Sequence, residues 1–136
     1  MSFNLKRITD ATSAVVEIKD PETGAPLGVN FVLAGPEHPK RKAQEFARQR
    51  RLRATLNKTG KIELGDPEDD DLDARAQLAE CILGWNGYAD DTGADVAYSP
   101  QAAQALVNDP ELGWLRVQLN TALGERERFI KRSVLA

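Results

Sequence analysis

The chain has 136 residues, a length typical of a single domain, and 41% of them are hydrophobic. No apolar run approaches the roughly 20 residues that cross a bilayer, and no apolar stretch follows the charged N-terminus, so neither a membrane span nor a secretory signal is predicted. The single cysteine, Cys81, excludes an internal disulfide. These features predict a soluble cytoplasmic protein that is not secreted.

The net charge of −3 conceals an asymmetry between the two halves of the chain. Residues 1–65 contain 12 Lys and Arg against 7 Asp and Glu, whereas residues 66–136 contain 6 against 14. Halves of opposite charge can attract each other within one molecule, between subunits, or towards charged partners.

The first third of the chain is predicted to form a β-hairpin. Residues 14–19 and 27–33 are rich in β-branched and apolar side chains, and residues 20–26 between them favour turns. Alternation along the strands places five apolar residues on one face, namely Val16, Ile18, Val29, Phe31 and Leu33. Because an isolated hairpin is marginal in water, we expect another strand, a helix or another subunit to cover it.

A basic helix is predicted for residues 40–56, after a loop containing Gly35, Pro36 and Pro39. A thin stripe recurs along it at helical spacing, formed by Ala43, Phe46, Ala47, Arg50 and Ala54. A loop over residues 58–65 follows, with a possible short strand at residues 61–64.

Three prolines in the second half each follow a residue that is favoured as a helix N-cap. They predict helices that begin at Pro67, Pro100 and Pro110. The acidic run after Pro67 sits where a helix N-terminus favours negative charge.

Each of the two longer helices has a predicted apolar face. The first runs to Gly84, with Leu72, Ala76, Ala79, Ile82 and Leu83 as its face. The last is bent or ended by Gly124, with Trp114, Leu115, Leu119, Ala122 and Leu123 as its face.

The predicted fold is therefore α+β. It consists of one domain over residues 1–136, with a small N-terminal antiparallel β-hairpin element in residues 1–35. A mainly α-helical body follows in residues 36–136, and residues 85–98 form a strap with a turn in it.

Residues 91–94 (Asp-Thr-Gly-Ala) spell the tetrapeptide that carries the catalytic aspartate of aspartic proteases. In those enzymes the aspartate ends an apolar strand of a mostly β fold, and two such residues share a proton. Here Asp91 follows Tyr88-Ala89-Asp90, and the chain beyond Ser99 is predicted to be helical. We interpret the motif as a polar turn in which Gly93 adopts a positive φ, and we expect Asp91→Asn to leave any activity nearly intact.

No metal, cofactor or catalytic residue is predicted. Asp90, Asp91 and Asp95 lack the alternating spacing of an EF-hand, and one cysteine with one histidine makes a poor zinc site. We expect His38 to be an exposed, passive imidazole and Cys81 to pack in the core.

The basic helix has two functional interpretations. Its cations could neutralise phosphates along a nucleic acid, and they are Lys40, Arg41, Lys42, Arg48, Arg50, Arg51 and Arg53. The segment has no suitable stacking aromatics and the domain is acidic overall, which argues against nucleic-acid binding. A solvated face, or one that pairs with acidic protein surface, is the alternative.

The order of several short motifs resembles the tail assembly chaperones of long-tailed bacteriophages and prophages. A helix is followed by residues 82–87 (Ile-Leu-Gly-Trp-Asn-Gly) and by the acidic turn at residues 90–93. Residues 96–100 (Val-Ala-Tyr-Ser-Pro), a small helix, and residues 109–115 (Asp-Pro-Glu-Leu-Gly-Trp-Leu) come next. The resemblance extends over most of the chain.

The resemblance implies a non-enzymatic assembly factor in the host cytoplasm. Its implied partners are the tape-measure protein and the tail-tube subunits, and self-association into a homo-oligomer is a further expectation. We predict that partner binding uses Arg48, Arg50, Arg51, Trp85, Tyr88 and Trp114. The rings could equally be core anchors. A structural subunit of the tail or head–tail connector and a small nucleic-acid-binding regulator are the alternative functions.

Overall fold

A computed structural model describes residues 2–60 and 66–132 of the chain. Five strands are present in this part: β1 (Ile8–Asp10), β2 (Ser13–Lys19), β3 (Pro26–Ala34), β4 (Ile82–Asn86) and β5 (Ile130–Arg132). The α-helices are α1 (Pro39–Thr59), α2 (Pro67–Cys81), α3 (Pro100–Val107) and α4 (Gly113–Gly124). Short 3₁₀ turns occupy Leu5–Arg7, Pro110–Leu112 and Arg126–Phe129. The fold is α+β, as the sequence predicts.

The predicted hairpin forms as antiparallel β2 and β3, and its apolar face enters the core. Four of its five predicted residues are buried, and Val29 is half-buried. The turn between the strands is held by Asp20, whose Oδ1 accepts hydrogen bonds from the backbone N–H groups of Glu22 and Thr23 at 2.8 and 3.2 Å.

The hairpin acquires a third strand that was not predicted from the sequence. We predicted that the second helix would run to Gly84, but α2 ends at Cys81 and β4 follows immediately, antiparallel to β3. Asn30, Phe31 and Val32 of β3 pair with Asn86, Trp85 and Gly84 of β4. Pairing with the open edge of β3 satisfies backbone groups that a longer helix would have left unmatched.

The proline-marked N-caps are confirmed at all three helix starts. The side chains of Asp66, Ser99 and Asp109 accept from the backbone N–H groups of residues 68, 102 and 111, at 3.3, 3.0 and 2.9 Å. The short helix has the predicted bounds. The last one begins as a 3₁₀ turn at Pro110 and becomes α-helical at Gly113.

One core cluster lies between the sheet and helices α2, α3 and α4. In α4, Leu115, Leu119 and Ala122 are buried, while Trp114 and Leu123 pack against the cluster partly exposed. The predicted face of the first acidic helix is wrong at its N-terminal end, because Leu72 and Ala76 are exposed. The buried residues of α2 are Leu78, Ala79 and Cys81, and its N-terminal end lies beside α1.

Helix α1 differs most from an ordinary packed helix. None of the side chains in its 21 residues is buried. The predicted stripe is exposed except for the half-buried Ala47, and Phe46 retains 55% of its accessible surface. The helix faces α2 with other residues, including Gln44, Leu52 and Thr55. The possible strand at residues 61–64 lies outside the described residues.

Within residues 2–60 and 66–132, no helix is both long enough and apolar enough to span a membrane.

Candidate protein-interaction surfaces

The strap over residues 85–98 is fixed to the sheet by two side-chain hydrogen bonds. The Trp85 indole Nε1–H donates to the Val96 carbonyl oxygen at 2.8 Å, and the Tyr98 hydroxyl donates to the Ile82 carbonyl oxygen at 2.7 Å. The Trp85 ring contacts Phe31, Tyr88 and Tyr98 with centroids 5.1 to 5.5 Å apart. Tilted and edge-on packing of this kind favours one arrangement of the rings. Trp85 therefore anchors the strap.

The tip of the strap is a tight turn held by Asp90. Its Oδ1 accepts hydrogen bonds from Thr92 N, Thr92 Oγ1 and Ala94 N at 2.9, 2.6 and 3.1 Å. Hydrogen bonds from the Thr92 hydroxyl and backbone are the main reason that the pKa of Asp90 lies below its ordinary value. Gly93 has a φ of 84°. Asp91 is exposed and makes no hydrogen bond or ion pair within the described residues, so the protease-like tetrapeptide is a turn in this structure.

An apolar cavity of about 200 Å³ lies under one end of the sheet, beside the strap. The strands, the strap, α3 and the start of α4 all contribute to its wall, which is made of Ile18, Leu27, Val29, Phe31, Tyr88, Leu106, Leu112, Trp114 and Leu115. Leu27 forms an exposed part of this wall, with 45% of its surface accessible. An apolar side chain from another molecule would find only apolar neighbours here.

The cations of α1 divide into those with an ion pair and those without. Lys42, Arg48 and Arg51 form ion pairs with Glu37, Glu45 and Asp73 at 2.9, 2.6 and 3.9 Å. Hydrogen bonds from Lys42 and Arg48 lower the pKa values of Glu37 and Glu45. Within the described residues, no ion pair is formed by the other five, which are Lys40, Arg41, Arg50, Arg53 and Lys58.

Arg41 is half-buried and makes hydrogen bonds within the molecule. Its guanidinium donates to the carbonyl oxygens of Ala34 and Leu123 at 3.3 and 3.2 Å and lies 6.0 Å from the centre of the Phe129 ring. These bonds tie the start of α1 to β3 and to the end of α4. Arg41 is consequently engaged within the molecule, which disfavours the contact with nucleic-acid phosphates for which the sequence made it a candidate.

His38 and Cys81 both have structural surroundings. The His38 Nδ1 accepts from the backbone N–H of Lys40 at 3.1 Å, so the imidazole is the N-cap of α1 and is half-buried, not the exposed passive group we expected. Cys81 is buried, as predicted, and burial raises the pKa of its thiol. Where the structure describes the chain, no three His, Cys, Asp or Glu side chains come together as metal ligands.

The predicted partner-binding residues fall on two separate surfaces. Tyr88 and Trp114 line the same cavity, and Trp85 is one ring contact behind Tyr88. Arg48, Arg50 and Arg51 lie on α1. Sequence reasoning missed Leu27 and Leu112 as cavity residues. The only signal for Leu27 was its place at the start of a strand, directly after the turn.

The structure is thus a small α+β protein with two candidate surfaces, the apolar cavity beside the strap and the exposed helix α1. Comparison with known proteins identifies the family of the chain. The family model described as YdaY prophage protein matches residues 39–128, well over half of the chain. The chain belongs to the YdaY prophage protein family. The match runs from the start of α1 to the 3₁₀ turn before β5, so it includes both surfaces apart from the strands β2 and β3. No curated protein and no solved structure matches the chain.

Proposed function

We propose that the protein is a non-enzymatic tail assembly chaperone that binds the tape-measure protein and tail-tube subunits in the host cytoplasm. The observation that carries this proposal is the apolar cavity lined by Tyr88 and Trp114. The prophage family supports a role in phage biology, and the motif order in residues 82–115 supports the tail assembly role.

The cavity suits one large apolar side chain of a helical partner. Tape-measure proteins are long helices whose apolar stripes aggregate when unprotected, and such stripes bind by inserting anchors at helical spacing. The rim residue Leu27 widens the apolar contact around the entrance. Binding of a single anchor in each cavity gives an affinity low enough for release, which an assembly factor requires.

Co-expression with the tape-measure protein tests the proposal. The wild-type chain is expected to keep the tape-measure protein soluble and to co-purify with it. Leu27→Glu places a charge at the cavity entrance and is expected to abolish both effects, because a carboxylate there loses hydration without gaining a partner. Since Leu27 is partly exposed, this variant should fold, which circular dichroism would verify.

Val117→Glu is the matched control. Val117 lies on α4 near Trp114, has 66% of its surface exposed, and does not line the cavity. The Val117→Glu variant should keep the tape-measure protein soluble as well as the wild-type chain does. Loss of activity in both variants, or in neither, would contradict a role for the cavity.

A structural subunit of the tail is the alternative that the same motif order allows. It would also bind the tail-tube protein, but it would remain in finished tails. Binding to nucleic acid has less support, because Arg41 is used internally and three other cations of α1 are ion-paired. Salt-sensitive retention on DNA that is lost in an Arg50→Ala, Arg51→Ala, Arg53→Ala triple variant would favour that function instead.

A further inference from the structure

Helices α1 and α2 form an antiparallel pair that stands beside the core. Near one end, the Gln44 side-chain amide donates to the Gln77 carbonyl oxygen at 3.2 Å and to the Glu80 carboxylate at 3.0 Å. Further along, Arg51 approaches Asp73 at 3.9 Å. Higher numbers in α1 therefore lie beside lower numbers in α2.

One side of this pair is a groove with a floor of small residues. Its volume is about 680 Å³, and α1 contributes Ala43, Ala47 and Ala54 together with Lys40, Arg50 and Arg51. Gln77 and Glu80 contribute from α2. Alanines on the floor leave space for side chains of another helix pair to approach closely.

The α2 side of the groove carries an acidic stripe. Asp69, Leu72 and Ala76 recur at spacings of three and four residues with Glu80, so helical geometry puts them on the side of Glu80. All four residues are exposed, and Leu72 keeps 58% of its surface. We call the groove and this stripe together the hairpin face, after the helical pair α1 and α2 and not after the β-hairpin of β2 and β3.

Opposite charges on the hairpin face are only partly matched within the molecule. Lys40 and Arg50 on α1, and Asp69 on α2, form no ion pair among the residues that the structure describes. Exposed apolar side chains and unmatched charges of both signs on one face fit a self-complementary contact, in which each copy supplies what the other lacks.

We propose that the hairpin face binds the hairpin face of a second copy of this chain, with α1 of each copy against α2 of the other. A two-fold axis parallel to the helices produces this arrangement. It keeps residues at the same height opposite each other. Because Arg51 lies level with Asp73 in each copy, Arg50 of one copy comes opposite residues 72–74 of its partner, and its extended side chain reaches roughly 7 Å, a little over one helical turn, along α2 to Asp69. Leu72 of each copy then covers the alanine floor of the other.

The other two-fold arrangement is disfavoured by charge. An axis perpendicular to the helices would place α1 against α1 and α2 against α2, which brings the basic stripes together and the acidic stripes together. Like charges at close range oppose association. The charge pattern thus selects the pairing of α1 with α2.

The area of the hairpin face sets the expected strength. The 15 residues of α2 span about 22 Å, and two adjacent helices are about 20 Å wide. A contact with these dimensions is small compared with a typical stable interface, which buries about 1,600 Å². The dimer should therefore be reversible. Its ion pairs are solvent-exposed, so salt should weaken it.

Sedimentation analysis of the purified full chain over a wide concentration range tests the proposal. The wild-type protein is expected to shift from monomer to dimer with rising concentration, and less readily at high salt. Arg50→Glu and Asp69→Lys should each raise the dimer Kd about tenfold, because each places two repulsive pairs in the homodimer.

An equimolar mixture of the two variants provides the sharper test. In the mixed dimer, the carboxylate introduced at position 50 of one variant faces the ammonium group introduced at position 69 of the other. The second contact keeps the original pair, Arg50 with Asp69, so dimerisation should recover to near the wild-type level. Lys131→Glu is the control, since it makes the same change of charge on β5, outside the hairpin face. It should leave the dimer Kd unchanged.

Three outcomes would overturn the proposal. A wild-type chain that stays monomeric at every concentration would do so, as would homodimers that neither variant weakens. A monomeric chain that binds tape-measure protein in an Arg50-dependent manner would assign the hairpin face to that partner. Failure of the Leu27→Glu test would leave the dimer unaffected, because Leu27 lies outside the hairpin face.

Discussion

Asp90 and Asp91 are adjacent carboxylates with different surroundings. The first accepts three hydrogen bonds that close the turn of the strap, and the second is exposed without a partner in the described part of the chain. The sequence predicted the turn and Gly93 within it. It could not say which aspartate holds the turn, because that depends on side-chain direction.

A pH titration distinguishes the two aspartates. Because the folded pKa of Asp90 is lowered, its contribution to stability is present above its unfolded pKa and is lost as the pH falls through the folded value, below about pH 4. We expect the Thr92 and Ala94 amides to lose protection from hydrogen exchange in that range. Asp90→Asn should remove this acid dependence, and Asp91→Asn should preserve it. Equal responses in the two variants would refute the assignment.

Gly87 and Gly93 both have positive φ, of 76° and 84°, but only Gly87 is crowded. A Cβ at Gly87 would overlap the carbonyl oxygen of Gly28, whereas a Cβ at Gly93 would meet nothing within 4 Å. We expect Gly87→Ala to lower the free energy of unfolding by about 3 kcal/mol, from backbone strain and overlap, and Gly93→Ala by about 1 kcal/mol. Urea denaturation measures both, and equal losses would contradict the close approach.

At the scale of elements, local signals predicted the hairpin, α3 and all three helix N-caps. They failed where tertiary pairing decided the outcome. The segment at Ile82 continues a helical pattern, yet it becomes β4 because β3 offers an open edge. Strands β1 and β5 pair with each other through only three residues each, too few for a recognisable alternation.

Helices α1 and α4 should respond differently to loss of an apolar side chain. Leu119 of α4 is fully buried, so Leu119→Ala should lower the free energy of unfolding by about 3 kcal/mol. Phe46 of α1 is 55% exposed, and Phe46→Ala should change it by less than about 0.5 kcal/mol. Thermal or urea unfolding of the two variants measures both changes in the free energy of unfolding. A large loss from Phe46→Ala would mean that α1 packs more closely than the structure indicates.

Across the whole molecule, the charge asymmetry of the sequence becomes a pair of neighbouring basic and acidic helices. The ion pair of Arg51 with Asp73 neutralises part of this charge within the molecule, and unpaired charges of both signs remain on the hairpin face.

The candidate residues Tyr88 and Trp114 were predicted from aromatic content and motif order. That they share a cavity with Leu27 depended on how α4 packs under the sheet, which spacing along the chain does not reveal.

The fate of the protein during tail assembly tests the central claim most directly. Particles and assembly intermediates from an induced prophage can be separated, and the protein quantified in each fraction by mass spectrometry. Our account predicts that it accompanies the tape-measure protein in intermediates and is absent from finished tails. Finding it in finished tails in fixed proportion to the tail-tube protein, or finding it in neither fraction, would contradict the account.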